Sequence, residues 1–281
     1  MLVNLNDILF DAQKNNYAVG LFNTTDTDAI EGAIAAAEEL NSPIMLGTAE
    51  VLLPHGELQL IGPAMINMAK KASVPVAVHY DHGLTYERCV EALELGFSSV
   101  MYDCSTESYE ENLKKVKEMT KIAHSFCATI EGELGHVGDN EGSAEGTSHL
   151  ADPSKFYTDP KMAKDFSERT GIDALAVAIG TAHGAYTYTP KLDIKRLKEI
   201  RSEIDTPLVL HGGSGLSDND FKNCINGGIT KINIFTDIYV AGKNAIMNAS
   251  GDYHEIRAQK VQAIKETIMN KIMLFGSNGK A

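Results

Sequence analysis

Eight short β-branched or apolar runs, each followed by a helical pattern, constrain this chain more than any other feature of it. The runs are Tyr17–Phe22, Pro43–Thr48, Val74–Tyr80, Ser98–Asp103, Thr129–Glu133, Ala174–Ile179, Pro207–His211 and Lys231–Ile234, bounded by turn residues as strands are. Segments between them, such as DAIEGAIAAAEEL, LTYERCVEALEL and DIKRLKEIRSEI, repeat apolar residues at three and four, the period of helices that pack on a sheet. A closed (β/α)8 barrel and an open doubly wound sheet both alternate strand and helix in this way. Polar residues decide between them. Nearly every run ends in one: Asn23 after the first, Asp81 and His82 after the third, then Asp103, Glu133, His183 and His211, with Asn233 on the eighth. A closed barrel points all its strand ends at one mouth, whereas an open sheet spreads them along an edge. The expectation is a single α/β domain over residues 1–281, a TIM barrel with an amphipathic N-terminal helix.

The balance of charge narrows the partners. With 25 basic and 38 acidic side chains the net charge is -13, which repels nucleic acid and anionic membranes alike. The N-terminus MLVNLNDILFDAQKNN has acids and amides where a signal peptide has a basic region and an apolar run, and no stretch approaches the ~18 apolar residues of a membrane span. Cys89, Cys104, Cys127 and Cys224 are widely spaced and form no CxxC pair. These features fit a soluble protein of the reducing cytoplasm.

One connection is long. Leu134–Asp159 contains Gly135, Gly138, Gly142 and Gly146 and many acids, well beyond ordinary βα loop length. It reads as a mobile active-site flap after strand five; a solvated surface insertion has the same length and composition.

Among the nine histidines, three stand apart. His82, His183 and His211 each lie just beyond an apolar strand and each precedes a glycine, at Gly83, Gly184 and Gly212, which allows close approach and a sharp turn. Three neutral imidazoles and one open position are the ligand set of a catalytic zinc. His55, His124, His136, His149 and His254 lack that context, and His79 reads as a barrel-interior residue. Asp81 adjoins His82 and is placed either to move a proton beside the metal or to orient an imidazole. Asp103, Glu131 and Glu133 are acids near strand ends, suited to hold a histidine or to contact the metal. Two further stretches suit an anion: His211-Gly212-Gly213-Ser214-Gly215 after strand seven, and Lys231 to Asp237 on strand eight with Asn233 and Thr236. The loops after strands seven and eight are where TIM-type barrels commonly hold phosphate.

Taken together, VHYDHG, GFSSVMYDCS, IEGELGHVG, AVAIGTAHGAY, PLVLHGGSGL and KINIFT occur in an order that resembles the class II fructose-bisphosphate and tagatose-bisphosphate aldolases, over the whole chain. The resemblance implies that His82, His183 and His211 hold one zinc ion and that Asp81 is the acid/base at the C4 oxygen. It implies that Gly184, Gly212, Gly213, Ser214, Asn233 and Thr236 contact the dihydroxyacetone phosphate portion, with Asn23 in the matching first-strand position. Cleavage would yield dihydroxyacetone phosphate and an aldehyde, with zinc as the Lewis acid. The loop acid that protonates C3 falls on Glu141, with Asp139 and Glu145 in reserve. The partner is a phosphorylated sugar, the setting carbohydrate metabolism such as glycolysis, and the fold suggests a homodimer or higher homo-oligomer.

The chain departs from the family pattern where the far end of the substrate would lie. Ala49 stands where a serine is expected, Asp252-Tyr253-His254 where a DPR segment supplies an arginine, and Thr187 where a lysine follows the second zinc histidine. Arginine grips phosphate with a charge-assisted fork that His254 does not reproduce, although Arg257 lies three residues on. The alternative substrate is therefore a ketose 1-phosphate or another sugar phosphate whose far end is unphosphorylated or held differently. A Schiff-base aldolase needs a lysine near a strand; Lys231 begins strand eight and is expected towards the barrel floor, away from the mouth. A metal-dependent barrel hydrolase needs an HxH pair on the first strand, where this chain reads LFNTT, and a non-catalytic barrel would tolerate loss of a ligand or of Asp81.

Overall fold

Strands β1 (Val19–Asn23), β2 (Ile44–Ala49), β3 (Val76–Gly83), β4 (Ser99–Tyr102), β5 (Thr129–Leu134), β6 (Ala174–Val177), β7 (Leu208–Leu210) and β8 (Ile229–Ile234) pair in parallel with their sequence neighbours. β8 also pairs with β1, with Lys231 opposite Val19 and Ile234 opposite Phe22, so the sheet closes on itself. The chain is a (β/α)8 barrel, as the strand-end argument predicts. The computed structural model describes residues 1–139, 156–184 and 190–281, with backbone alone at 138 and 139. Glu141, Glu145, Thr187 and most of the expected flap lie outside the described residues.

Alternation along the strands sorts their side chains. Val76, Val78 and Tyr80 of β3 join the apolar layer between barrel and helices, together with Phe22, Ile130, Phe166 and Leu210. The inward residues Val19, Leu21, Met45, Ala77, Ala174, Ala176 and Val209 form a second apolar cluster with Leu5, Ile8, Leu9 and Ala12. Those last four line one face of the N-terminal helix Leu5–Asn15, which starts in a capping box between Asn4 and Asp7 and plugs the barrel floor. Residues two positions further along the strands change character: His79, Asp81, Glu131, Glu133, Lys231 and Asn233 are polar and buried. An apolar floor and a polar mouth follow directly from that change.

The long C-terminal helix Tyr253–Phe275 packs against the helices Thr27–Glu39 and Thr236–Asn248, through Ile264, Ile268 and Ile272. All four cysteines are free thiols. No helix among the described residues is long and apolar enough to cross a membrane.

Candidate metal centre and active site

In a regular strand Asp81 and His82 would point to opposite faces. β3 carries one extra residue relative to β4 between Tyr80 and Gly83, and His82 adopts a left-handed φ of 41°. Such a bulge re-aims a side chain, and here it turns His82 to the mouth beside Asp81. Gly83 is needed for a different reason than a turn: a Cβ there would lie 2.4 Å from Cys89 Sγ and 2.7 Å from the Met101 carbonyl oxygen. Gly212 combines both reasons, with a φ of 65° and the Ala182 carbonyl 2.4 Å from where its Cβ would be.

His82, His183 and His211 converge, each offering one nitrogen, with all three nitrogens within 4.8 Å of one another. Carboxylates settle which nitrogens face inward for two of them. Nδ1 of His82 donates to Asp103 Oδ2 at 2.8 Å, and Nε2 of His211 donates to Glu131 Oε1 at 2.7 Å. That leaves Nε2 of His82 and Nδ1 of His211 facing each other at 2.7 Å. Glu133 Oε2 lies 3.6 Å from Nδ1 of His211, buried and accepting no hydrogen bond among the described residues. Converging imidazoles locked by carboxylates, with an unsatisfied buried carboxylate oxygen beside them, are a donor set that fits a divalent cation. Asp103 and Glu133 also group with His82 within 4.8 Å, the alternative contacts expected for the metal.

Charges in this cluster are strongly coupled. Burial opposes the charged form of His82, yet the Asp81 carboxylate, the bond to Asp103 and the Glu133 charge outweigh it and push its pKa up to about 10. Burial and the neighbouring His82 charge push His211 down to about 4. The opposite directions of the two shifts favour a proton on His82 over one on His211 across their short contact. Burial and then Asp103 raise Glu133 to about 8. For Asp81 burial acts upward, but His82, His211 and Lys231 together hold it well below the usual carboxylate range.

Asp81 is 1 % exposed and is gripped by two amides: Nδ2 of Asn23 donates to Oδ2 at 2.7 Å, and Nδ2 of Asn233 to Oδ1 and Oδ2 at 3.0 and 3.1 Å. The orientation of Asn233 is itself fixed, because its Oδ1 accepts from Nζ of Lys231 at 2.8 Å. Lys231 also lies 2.8 Å from Glu131. This corrects the expected position of Lys231: it is the third residue of β8, not the first, and its ammonium rises inside the barrel to the polar layer beneath the mouth. It is absent from the cavity wall and held between a carboxylate and an amide, which is no setting for a Schiff base.

A cavity of about 810 Å³ opens above these groups. Its wall includes Asn23, Asp81, His82, Asp103, Glu133, His183, Gly184, Gly212, Gly213, Ser214, Asn233 and Thr236; of the predicted zinc ligands, His211 alone is absent from it, fully buried behind His82. Ser214 Oγ accepts from the N–H groups of Phe235 and Asp237 at 3.2 and 3.4 Å, tying the glycine loop to the start of the helix Thr236–Asn248. Glu141 is not among the described residues. Sequence reasoning passed over His136, whose Nδ1 lies 3.4 Å from Ser105 Oγ and which lines the cavity just past β5; its place in the ELGHVG motif was the available signal. It also passed over Val51, Leu52, Tyr239, Val240 and Lys243, which come from helices and carry no strand-end mark. Neither His254 nor Arg257 lines the cavity; Arg257 is bound to Asp28 at 2.8 Å and Glu31 at 2.5 Å.

The sequence profile of the family described as "Fructose-bisphosphate aldolase class-II" matches residues 3–280. The chain belongs to that family. It is 39 % identical over 272 residues to "Uncharacterized protein YdjI" of Escherichia coli K12, covering 96 % of each chain. It is 35 % identical to a fructose-bisphosphate aldolase of Staphylococcus aureus N315, covering 100 % of this chain and 99 % of the other. The crystal structure of the E. coli K12 YdjI aldolase superposes with a TM-score of 0.90 at 37 % identity over the full length of both chains. The fructose-bisphosphate aldolase of Campylobacter jejuni, at 22 % identity and a TM-score of 0.73, shares the fold.

Proposed function

We propose that this chain is a zinc-dependent aldolase that reversibly cleaves a ketose phosphate to dihydroxyacetone phosphate and an aldehyde. The observation that carries the reading is the convergence of the His82, His183 and His211 nitrogens at a cavity that His82, His183 and Asp81 line, two of the imidazoles locked by carboxylates. A bound Zn²⁺ supplies a Lewis acid for the charge that develops as the C3–C4 bond breaks. Asp81, ionised and held by Asn23 and Asn233, takes the proton of the C4 hydroxyl. The loop Gly212–Ser214 and Gly184, which line the cavity, and the start of the helix at Thr236 hold the C1 phosphate. Glu141 is our choice for the acid that delivers a proton to C3. The enzyme acts in the cytoplasm, as a homo-oligomer.

Purified protein is expected to release dihydroxyacetone phosphate from a ketose phosphate in a coupled assay, to lose that activity on exhaustive chelation and to regain it with Zn²⁺. Borohydride added with substrate is expected to leave it active. Activity that survives chelation would overturn the metal reading, and inactivation by borohydride would favour a Schiff base.

A second reading, an aldolase for ketose 1-phosphates that makes no use of a second phosphate, draws on what the wall of the cavity lacks. Among the described residues no arginine lines it, and Ala49 stands in its wall. Comparing kcat/KM for fructose 1,6-bisphosphate with that for ketose 1-phosphates separates the two readings.

A further inference from the structure

We infer that Lys243 selects an anionic group, phosphate or carboxylate, at the end of the substrate remote from the C1 phosphate. This rests on the aldolase reading above and gives that reading a specificity residue. Lys243 is the one lysine or arginine among the described residues of the cavity wall. Its neighbours in charge are already committed: Lys260 pairs with Asp26 at 2.7 Å and Asp28 at 3.1 Å, Lys271 with Asp237 at 2.6 Å, and Arg257 with Asp28 and Glu31. Lys243 is exposed and has no carboxylate within salt-bridge distance among the described residues. In a chain of net charge -13, a cation without a counter-ion on a cavity wall is a local attractor for an anion.

Its position fits the far end. Lys243 lies seven residues beyond Thr236 on the same helix, two turns along the same face, or ~10 Å of rise. The phosphate at the start of that helix is therefore not its ligand. Between the two points this helix gives the wall Tyr239 and Val240, and Val51 and Leu52 of the short helix Glu50–His55 add apolar lining. Tyr239 is anchored, its hydroxyl accepting from the N–H of Thr25 at 2.7 Å, which fixes this wall. Near apolar surface a charge interacts more strongly than in open water. An ammonium on a flexible stem accepts phosphate or carboxylate, whereas an arginine fork favours planar bidentate recognition.

The test runs the reaction in the condensation direction with dihydroxyacetone phosphate and three aldehydes: glyceraldehyde 3-phosphate, an aldose acid ending in carboxylate, and a neutral aldose. For Lys243→Met, kcat/KM for at least one charged aldehyde is expected to fall by about tenfold or more relative to the neutral one, through KM. Lys243→Arg is expected to keep most of the preference. The aldehyde that suffers names the anion. An equal loss with all three, or no loss with either charged one, overturns the assignment while leaving the aldolase reading in place. If the zinc-loaded wild type condenses none of the three, the aldolase reading itself falls and the assignment with it.

Discussion

Asp103 and Glu131 each occupy one nitrogen of a histidine and so decide which nitrogen faces the centre. Removing such a carboxylate frees the ring to rotate and to change tautomer. Asp103→Ala and Glu131→Gln are each expected to weaken Zn²⁺ binding by ~10- to 100-fold in a competition titration with a chromophoric chelator. Asp81 is expected to behave differently. Asp81→Asn removes the base, keeps the shape that Asn23 and Asn233 enclose, and is expected to lower kcat by ~10²- to 10⁴-fold with zinc content unchanged. Zinc lost from that variant would assign Asp81 to orienting the ligands instead. His82 adds a dependence on pH. With its pKa pushed up to about 10 it carries a proton in the metal-free protein, and coordination through Nε2 displaces that proton. Raising the pH removes the competitor, so zinc affinity is expected to climb by up to about tenfold per unit below pH 10. Calorimetry in buffers of different ionisation enthalpy is expected to find His82 releasing about one proton at neutral pH. No proton release would mean that His82 is neutral before the metal arrives.

At the scale of the element, what could be read from sequence was what is periodic. Runs such as VPVAVHY and ALAVAI are continuous apolar segments because a strand inside a barrel is buried on both faces, and their turn-bounded edges placed all eight strands. The bulge in β3 is not periodic, and it is the device that brings Asp81 and His82 to one side. Its only trace in the sequence is Gly83, which reads equally well as a turn. The cost of a side chain there is steric: a Cβ 2.4 Å from Cys89 Sγ and 2.7 Å from the Met101 carbonyl forces β3 away from β4. Gly83→Ala is expected to destabilise the protein by ~1–3 kcal/mol in urea unfolding and also to weaken zinc binding, since His82 shifts with the strand. Normal zinc affinity in a destabilised variant would separate the bulge from the metal site. Lys243 and Tyr239 escaped notice for a related reason. They reach the cavity from the face of a helix, where the sequence shows only an ordinary amphipathic pattern.

For the molecule as a whole, the barrel interior is layered, and the layering links stability to the site. Leu5, Ile8 and Leu9 of the N-terminal helix close an apolar floor, and the next layer up carries Lys231, Glu131 and His79, all fully buried. The backbone of Lys231 is level with Val19 and Val209 of the floor cluster, although the strand begins two residues earlier than the apolar run suggested, at Ile229; what the sequence did not show is that its ammonium reaches up to Asn233 and Glu131. A buried ion pair contributes little on balance, but one partner left alone is costly. Lys231 has two partners, and both lead to the mouth: Glu131 holds His211, and Asn233 holds Asp81. Lys231→Met is therefore expected to destabilise the protein by ~3–5 kcal/mol at pH 8, because the Glu131 carboxylate loses its counter-ion in a dry interior. Without Lys231 that carboxyl should take up a proton more readily, and a protonated Glu131 needs no counter-ion. The stability gap to the wild type should then narrow as the pH falls from 8 to 5, followed by urea unfolding at each pH. Adding Glu131→Gln should restore part of the stability without restoring zinc affinity, since the amide removes the stranded charge but leaves His211 without its carboxylate. A gap that stays constant with pH would mean that Lys231 supports the barrel through packing alone, and that the link from the interior layer to the site runs through another residue.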